Sequence, residues 1–278
     1  MAYDGGTVTA RTEDEPRVLV FVDILGFADI TREIRVHVED YPRDEHGFAG
    51  SGTTELQGRF VRFSDVLDRH VFNEGFTGGV QAMLFSDCAF LVYESSLRAT
   101  LGASDLMRCF ITRGVPVRMG LGKGTFYDME YMTSTTATQS RVVSTSRFYG
   151  TAVVNAHAAE SCGGKGMRIF LHQSLEEDLS LVRERVRPMK LRRAFKGVRY
   201  ELDYLYEQQP AGAEPSEDEK DRELFAKVAL LKNPAWPKRV LRQYTETHAA
   251  MNRMRKEHSR KRVVAHRLRC NAPHGAVW

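Results

Sequence analysis

Short apolar runs alternate along the chain with segments whose apolar residues recur at helical spacing. The run 18–22 is continuously β-branched or aromatic, which is typical of a strand covered on both faces. Two further apolar runs, 81–85 and 88–93, are separated only by Ser86 and Asp87 and predict a tight hairpin. Helices are expected at 60–72, 97–110 and from 153 to 160. This βα alternation with an embedded hairpin predicts an α/β sandwich of the split βαβ kind.

The middle of the chain carries weaker signals. Residues 116–127 are expected to form a strand pair with Gly120, Gly122 and Gly124 at or near its turn. The Ser- and Thr-rich stretch 133–146 predicts a long polar loop. Further strands are expected near 168–171 and 200–206. A helix is expected to open after Gly26 near Asp29 or Thr31, and 40–54 is interpreted as an insertion or loop.

Composition divides the chain into four parts. Residues 1–16 lack apolar surface and are expected to form a flexible arm. The main domain is expected at 17–206, followed by a polar linker at 207–220. Residues 221–278 form a basic extension. Its helices are expected at 221–232 and 238–268.

Charge and cysteine content narrow the function classes. A net charge of +4 over 278 residues is small for a nucleic-acid binder. The four cysteines show no CxxC or metal-ligand spacing, and no secretory leader is recognised, so a cytoplasmic location is expected. The longest apolar run, 18–27, is about half of the roughly 20 residues that a membrane-spanning helix needs. No membrane span is therefore expected.

Two acidic residues are candidates for chemistry. Asp23 ends a predicted buried strand, where an unpaired carboxylate is costly unless a cation or donors compensate it. Asp87 lies at the tip of the predicted hairpin. If the two strands are neighbours, the carboxylates converge as a site for a hard cation such as Mg²⁺. The alternatives are a helix N-cap for Asp23 and an ordinary turn residue for Asp87.

Four motifs occur in the order found in the class III nucleotidyl cyclases. The first is similar to their F-x-D-I-x-G-F signature and the second to their metal-binding hairpin, while the third and fourth resemble a following strand and a late K-G segment. They are Phe21-Val22-Asp23-Ile24-Leu25-Gly26-Phe27, Phe85-Ser86-Asp87-Cys88-Ala89-Phe90, Val117-Arg118-Met119-Gly120 and Phe195-Lys196-Gly197. The resemblance covers residues 17–206 and implies a ferredoxin-like catalytic domain. The arm and the C-terminal helical extension lie outside it.

The resemblance also implies roles for individual residues. Asp23 and Asp87 would bind two Mg²⁺ or Mn²⁺ ions, with the backbone carbonyl of Ile24 as an added ligand. Lys196 would hold the triphosphate. In this family the two sites form at the interface of a homodimer, so a homodimer is expected here as well.

Departures from the family pattern bear on the substrate. Purine cyclases usually carry Lys or Glu where this chain has Met83, and a polar base-reading residue where it has Arg147. Arginine has only donors, which suit the carbonyl oxygens of uracil. Asn155 is the candidate for the family's catalytic Asn, although it is shifted by one position, and the usual Arg one helical turn later falls on alanine. Arg113 or Arg118 could then supply the charge.

Together these features resemble the pyrimidine cyclases of the Pycsar antiphage systems. The expected activity is conversion of UTP to 3′,5′-cyclic UMP, read by a separate cyclic-nucleotide-sensing effector. The alternatives are a cytidylate cyclase that makes cyclic CMP and a catalytically silent nucleotide-binding regulator. A nucleic-acid-binding module built on the basic extension is a further alternative, but no stable nucleic-acid partner is expected, since few aromatics accompany its charges.

Overall fold

The computed structural model describes residues 7–12, 15–27, 55–75, 80–133, 143–188, 197–205, 217–232 and 238–270. Its strands are β1 (Thr7–Thr12), β2 (Arg17–Ile24), β3 (Gln81–Leu84), β4 (Cys88–Tyr93), β5 (Val117–Gly124), β6 (Tyr127–Thr133), β7 (Val143–Tyr149), β8 (Ile169–His172), β9 (Val186–Pro188) and β10 (Val198–Leu202). Its α-helices are α1 (Glu55–Gly75), α2 (Ser96–Thr112), α3 (Thr151–Glu160), α4 (Glu217–Leu230) and α5 (Lys238–Cys270). A 3-10 helix spans Gln173–Arg185.

Seven strands form the main sheet in the order β3-β4-β2-β5-β8-β10-β9. β5 and β8 are parallel, and the other neighbouring strands are antiparallel. A parallel pair needs a crossover connection, and α3 lies in the segment that joins β5 to β8. A smaller sheet has the order β1-β6-β7. The predicted α/β fold class is confirmed.

The main core lies on one face of the sheet. Alternate residues of β2, among them Val18, Val20 and Val22, are almost fully buried and share one apolar cluster with residues of α1 and α2. The remaining residues of β2 point to the opposite face because side chains alternate along a strand. Leu19 and Phe21 therefore join a second, smaller cluster with Ala152 and Ala156 of α3. The strand is covered on both sides, as its continuous apolar run predicts.

Three glycines let α3 approach β5 closely. A Cβ atom at Gly120, Gly122 or Gly124 would collide with the backbone of α3 or with the Thr151 side chain. The expectation that these glycines lie at or near a turn is wrong for Gly120 and Gly122, which lie inside β5, and is confirmed for Gly124, the last residue of that strand. Alternate spacing places all three on one face, where a helix without intervening side chains packs directly on the sheet.

Several other elements differ from expectation. Residues 7–12, expected as part of a flexible arm, form β1 and pair with β6 in antiparallel register. Their sequence, Thr-Val-Thr-Ala-Arg-Thr, is rich in β-branched residues, which favour strands. Both ends of the expected loop 133–146 belong to the paired strands β6 and β7. The hairpin at Ser86 and Asp87 is confirmed. The helix expected near Asp29 or Thr31 and the loop 40–54 lie outside the described residues.

The C-terminal helices belong to the main core. Val228 of α4 and Val240, Tyr244, Met251 and Met254 of α5 are buried in the same cluster as β2. The helices predicted at 221–232 and 238–268 are confirmed, and they pack on the core of the main sheet. None of the described helices is long and apolar enough to cross a membrane.

Gly122→Ala is expected to destabilise the protein by about 1–3 kcal/mol, the usual cost of overpacking, because the new methyl group would collide with Asn155 and Ala156. Gly58→Ala is the matched control, since the only atoms near its added Cβ belong to the flexible Arg62 side chain. Alanine in a helix is favourable by roughly 0.5–1 kcal/mol relative to glycine. Urea unfolding of both variants measures the difference, and equal stabilities would contradict the close packing.

Candidate active site

The two candidate carboxylates lie where the β3–β4 hairpin meets the end of β2. Asp23 is directly opposite Cys88 in the antiparallel ladder. The Ile24 N–H donates to the Asp87 carbonyl oxygen at 3.0 Å, and the Phe85 N–H donates to the Cys88 carbonyl oxygen at 2.8 Å. These backbone bonds fix the hairpin turn against the strand end. Two acidic residues distant in sequence are therefore held at neighbouring strand ends.

Asp23 faces the side of the sheet covered by α3. It alternates with Leu19 and Phe21, which pack in the cluster beneath that helix. Arg118 is its partner on β5 and alternates with the glycines that face α3. Glu160, the last residue of α3, is buried on the same side. The register and the helix thus bring Asp23, Arg118 and Glu160 together.

Arg118 and Glu160 form a largely buried ion pair. The guanidinium Nε donates to Glu160 Oε1 at 2.6 Å, and Nη1 donates to the Gly164 carbonyl oxygen at 3.0 Å. Arg118 therefore uses its rigid fork of donors to join β5, the end of α3 and the turn that follows. These two donors of Arg118 are thus engaged by Glu160 and Gly164.

The electrostatic environment of Asp23 disfavours its charge. Burial, followed by the negative charge of Glu160, raises the pKa of Asp23 from 3.8 to about 7, against the lowering effect of Arg118, and Asp87 raises it further. Among the described residues, no donor forms a hydrogen bond with the Asp23 carboxylate. Three carboxylates and one guanidinium give this region a net charge of −2 when all are ionised. A cation is the natural compensation for such a site.

The residues fit a hard divalent cation. Oxygen ligands suit Mg²⁺ and Mn²⁺, and the partly buried carboxylate of Asp23 accepts no hydrogen bond from the described residues. No group of three or more His, Cys, Asp or Glu side chains placed to hold a metal occurs in the described part of the chain. The protein would thus supply two carboxylates, with water and substrate phosphates completing the shell, as is usual for Mg²⁺.

The other predicted site residues lie apart from one another. Met83 is buried against Phe90 in the cluster under α3. Asn155 donates from its amide nitrogen to the Lys123 carbonyl oxygen at 2.9 Å. Arg147 is exposed on β7; the neighbouring Phe148 packs on that same aromatic cluster, so alternation directs Arg147 to the other side of its strand. Lys196 lies outside the described residues.

Sequence reasoning missed the partnership of Arg118 with Glu160. The sequence predicts for Arg118 only the role of a substitute for a missing catalytic arginine, and no role is predicted for Glu160. A signal was present, because Arg118 precedes the alternating glycines by the same two-residue step. It therefore faces α3, the helix that packs closely on the glycines. A largely buried arginine there needs an acidic partner.

No family model matches the chain, and no curated protein matches it. Similar solved structures are cyclase catalytic domains. The guanylate cyclase domain of RhGC from Catenaria anguillulae, in complex with GTP, is 16% identical over 68% of this chain and 96% of its own, with a TM-score of 0.43. The adenylyl cyclase CyaB from P. aeruginosa is 14% identical over 75% and 100%, with a TM-score of 0.38.

Adenylate cyclases from Trypanosoma brucei, in their monomeric state, are 13% identical over 69% of this chain and 90% of their own, with a TM-score of 0.44. All three TM-scores are below 0.5. The function proposed for this chain therefore depends on its own residues.

Asp23→Asn is expected to raise the melting temperature at pH 8 in metal-free buffer. A folded-state pKa above the unfolded value means that the protonated acid stabilises the fold below about pH 4 and that this stability is lost as pH rises to about 7. The advantage of the neutral amide should therefore grow between pH 4 and 7 and level off above pH 8. Thermal unfolding across this range measures it.

Asp68→Asn is the control for that comparison, because Asp68 is exposed on α1. Its melting temperature should follow that of the native chain at every pH. A difference in melting temperature between Asp23→Asn and the native chain that does not change with pH would contradict the raised pKa of Asp23.

Proposed function

We propose that the chain is a metal-dependent nucleotidyl cyclase that converts a nucleoside triphosphate to a 3′,5′-cyclic nucleotide and pyrophosphate. The observation that carries this proposal is the meeting of Asp23 and Asp87 at neighbouring strand ends, tied by the bond from the Ile24 N–H to the Asp87 carbonyl oxygen. The raised pKa of the partly buried Asp23 carboxylate adds support. The order of the four cyclase-like motifs supplies the reaction class.

In this proposal Asp23 and Asp87, with the Ile24 carbonyl, hold two Mg²⁺ or Mn²⁺ ions, and Lys196 holds the triphosphate. Bound metal would acidify the 3′-hydroxyl and neutralise charge on the phosphates. The protein's own contribution is positioning: the backbone ladder fixes both carboxylates before substrate arrives. Partial burial of Asp23 and the nearby carboxylates of Glu160 and Asp87 favour a dication at this position.

We further propose a pyrimidine substrate, with UTP favoured over CTP. Met83 is buried among aromatic rings, so the position that reads purines in related enzymes has no polar group here. Arg147 would supply donors to uracil; since it points away from the Met83 cluster, it would do so from a second subunit. The cyclic nucleotide would serve as an antiphage signal for a separate effector, as in the pyrimidine cyclases that this chain resembles.

A homodimer is part of this proposal. The side of the sheet that carries Asp23 is only partly covered by α3, and large apolar side chains remain exposed around it. They are Phe85 and Val154, exposed by 49% and 66%. Large apolar side chains that stay exposed on one side of a domain are consistent with an interaction surface. A second copy would cover it and bring its own residues to the site.

The alternative is a nucleotide-binding regulator without turnover. The favouring observation is the Asn155 amide, which is already bonded to the Lys123 carbonyl oxygen, together with alanine at the two positions where the catalytic arginine would fall, Ala158 and Ala159. A silent regulator would keep the carboxylates but lack these helper groups.

Incubation of the protein with Mn²⁺ and each of the four ribonucleoside triphosphates tests the proposal. Cyclic UMP is expected as the main product, measured by chromatography and mass spectrometry. Asp87→Ala should lower the rate by at least about 100-fold, because it removes a metal ligand and its charge stabilisation. Asp68→Ala, a change of the same kind on the exposed face of α1, should leave the rate unchanged.

A purine product would contradict the pyrimidine assignment. Absence of any cyclic product would favour the silent regulator. Unimpaired turnover by Asp87→Ala would contradict the proposal that Asp87 is a metal ligand.

Val154→Glu is expected to shift the protein from dimer to monomer, because it adds a charge to the proposed interface. Val61→Glu is the matched control: Val61 is equally exposed at 66% but lies on α1, across the sheet. Sedimentation velocity measures both. A monomeric native chain, or equal loss of dimer in both variants, would contradict the proposed interface.

A further inference from the structure

Two side chains of helix α5 form hydrogen bonds with the turn between α3 and β8. The Gly166 N–H donates to Gln243 Oε1 and the Met167 N–H donates to Thr247 Oγ1, each at 2.7 Å. Thr247 is fully buried, and its hydroxyl donates in turn to the Gln243 carbonyl oxygen at 2.8 Å. Two consecutive backbone amides of the turn therefore depend on side chains that come from the C-terminal helix.

Gly166 makes this contact possible. Its φ of +93° is a conformation that L side chains rarely adopt, and a Cβ atom there would lie 2.7 Å from the Thr247 backbone nitrogen and 3.0 Å from the Gln243 carbonyl oxygen. The turn thus lies directly against the helix backbone. Small shifts of α5 would be transmitted to the turn, because no flexible side chain lies between them.

The same turn holds the arginine beside the candidate active site. The Gly164 carbonyl oxygen accepts the 3.0 Å bond from Arg118 Nη1, and Arg118 pairs with Glu160 at the end of α3. Arg118 is opposite Asp23 in the sheet. A continuous path of bonded groups therefore runs from Thr247 through the turn to the strand that carries Asp23.

Helix α5 is fixed by further polar contacts on the same domain. Arg187 of β9 pairs with Asp203 and also lies 3.2 Å from Glu257 of α5. The Tyr204 hydroxyl donates to the Met167 carbonyl oxygen at 3.1 Å. These contacts hold the helix and the turn in one arrangement.

We propose that Thr247 and Gln243 are positioning residues for the active site: through the turn 163–167 they hold Arg118 and Glu160 in place beside Asp23. This inference rests on the proposed function. The C-terminal helix thereby influences metal binding at Asp23 indirectly, through the turn and Arg118.

Thr247→Val tests the proposal, since valine keeps the shape of threonine but leaves the buried Met167 N–H without its acceptor. The Mn²⁺ affinity in the presence of 3′-deoxy-UTP, which cannot cyclise, is measured by electron paramagnetic resonance. The dissociation constant is expected to rise about 2- to 30-fold, the range for changes along a bonded network. Thr247→Ser keeps the hydroxyl and should restore the native value.

Thr245→Val is the matched control. Thr245 is exposed on the same helix, and its hydroxyl makes only the local bond to the Leu241 carbonyl oxygen at 3.3 Å. Its Mn²⁺ affinity should equal that of the native chain. Alkylation of Cys162, which is buried in the same turn, reports release of the turn by peptide mass spectrometry. Alkylation should be faster in Thr247→Val and unchanged in Thr245→Val.

The two proposals fail in different ways. The binding measurement requires no turnover, so absence of cyclic product from the native chain overturns the proposed function by itself. Equal Mn²⁺ affinity in Thr247→Val and the native chain, with Cys162 alkylation accelerated, overturns the positioning role, because the turn would then be released without effect on the site. Unchanged alkylation overturns the claim that Thr247 holds the turn. A native chain that binds no Mn²⁺ overturns both.

Discussion

The direct packing of α3 on β5 is the constraint on which the site depends. With glycine at alternate positions of β5, the helix backbone contacts the strand backbone without side chains between them. The end of α3 then lies low enough on the sheet for Glu160 to reach Arg118. A bulkier strand would lift the helix by the thickness of a methyl group or more, and the buried ion pair beside Asp23 would separate. Close approach of two backbones thus determines the electrostatics of the Asp23 carboxylate on the neighbouring strand.

The position of Asp23 is unfavourable for the fold and suitable for a cation. Its carboxylate is partly desolvated and is flanked by Glu160 and Asp87. Arg118, the nearby cation, donates hydrogen bonds to Glu160 and Gly164. A group so placed destabilises the folded chain when ionised. Binding of a dication would reverse that effect, since any ligand that binds only the native state stabilises it. The geometry therefore links occupancy of the site to stability of the fold.

Local features were predictable, whereas pairings across long sequence distances were not. The hairpin at Asp87 and the buried strand ending at Asp23 follow from short-range patterns. The glycines of β5 were interpreted as a turn because glycine favours turns and close helix contacts alike, and only the alternate spacing distinguishes the two. β1 was missed because its pairing partner, β6, lies more than 100 residues away. The predicted roles of Asp23, Asp87, Arg147 and Asn155 stay predictions, and Lys196 lies outside the described residues.

The C-terminal helix shows why charge content is a poor guide to domain boundaries. The basic residues of α5 suggested a separate extension, yet its buried residues recur at 240, 244, 247, 250, 251 and 254, the spacing of three and four that marks one face of a helix. This pattern requires an apolar surface to pack against, and the main core supplies it. Thr247 is one of the residues of this set with a hydroxyl group. A hydroxyl in a buried apolar stripe needs a specific partner, and for Thr247 that partner is the Met167 amide of the turn that holds Arg118. The helix is thus part of the structure that shapes the candidate active site.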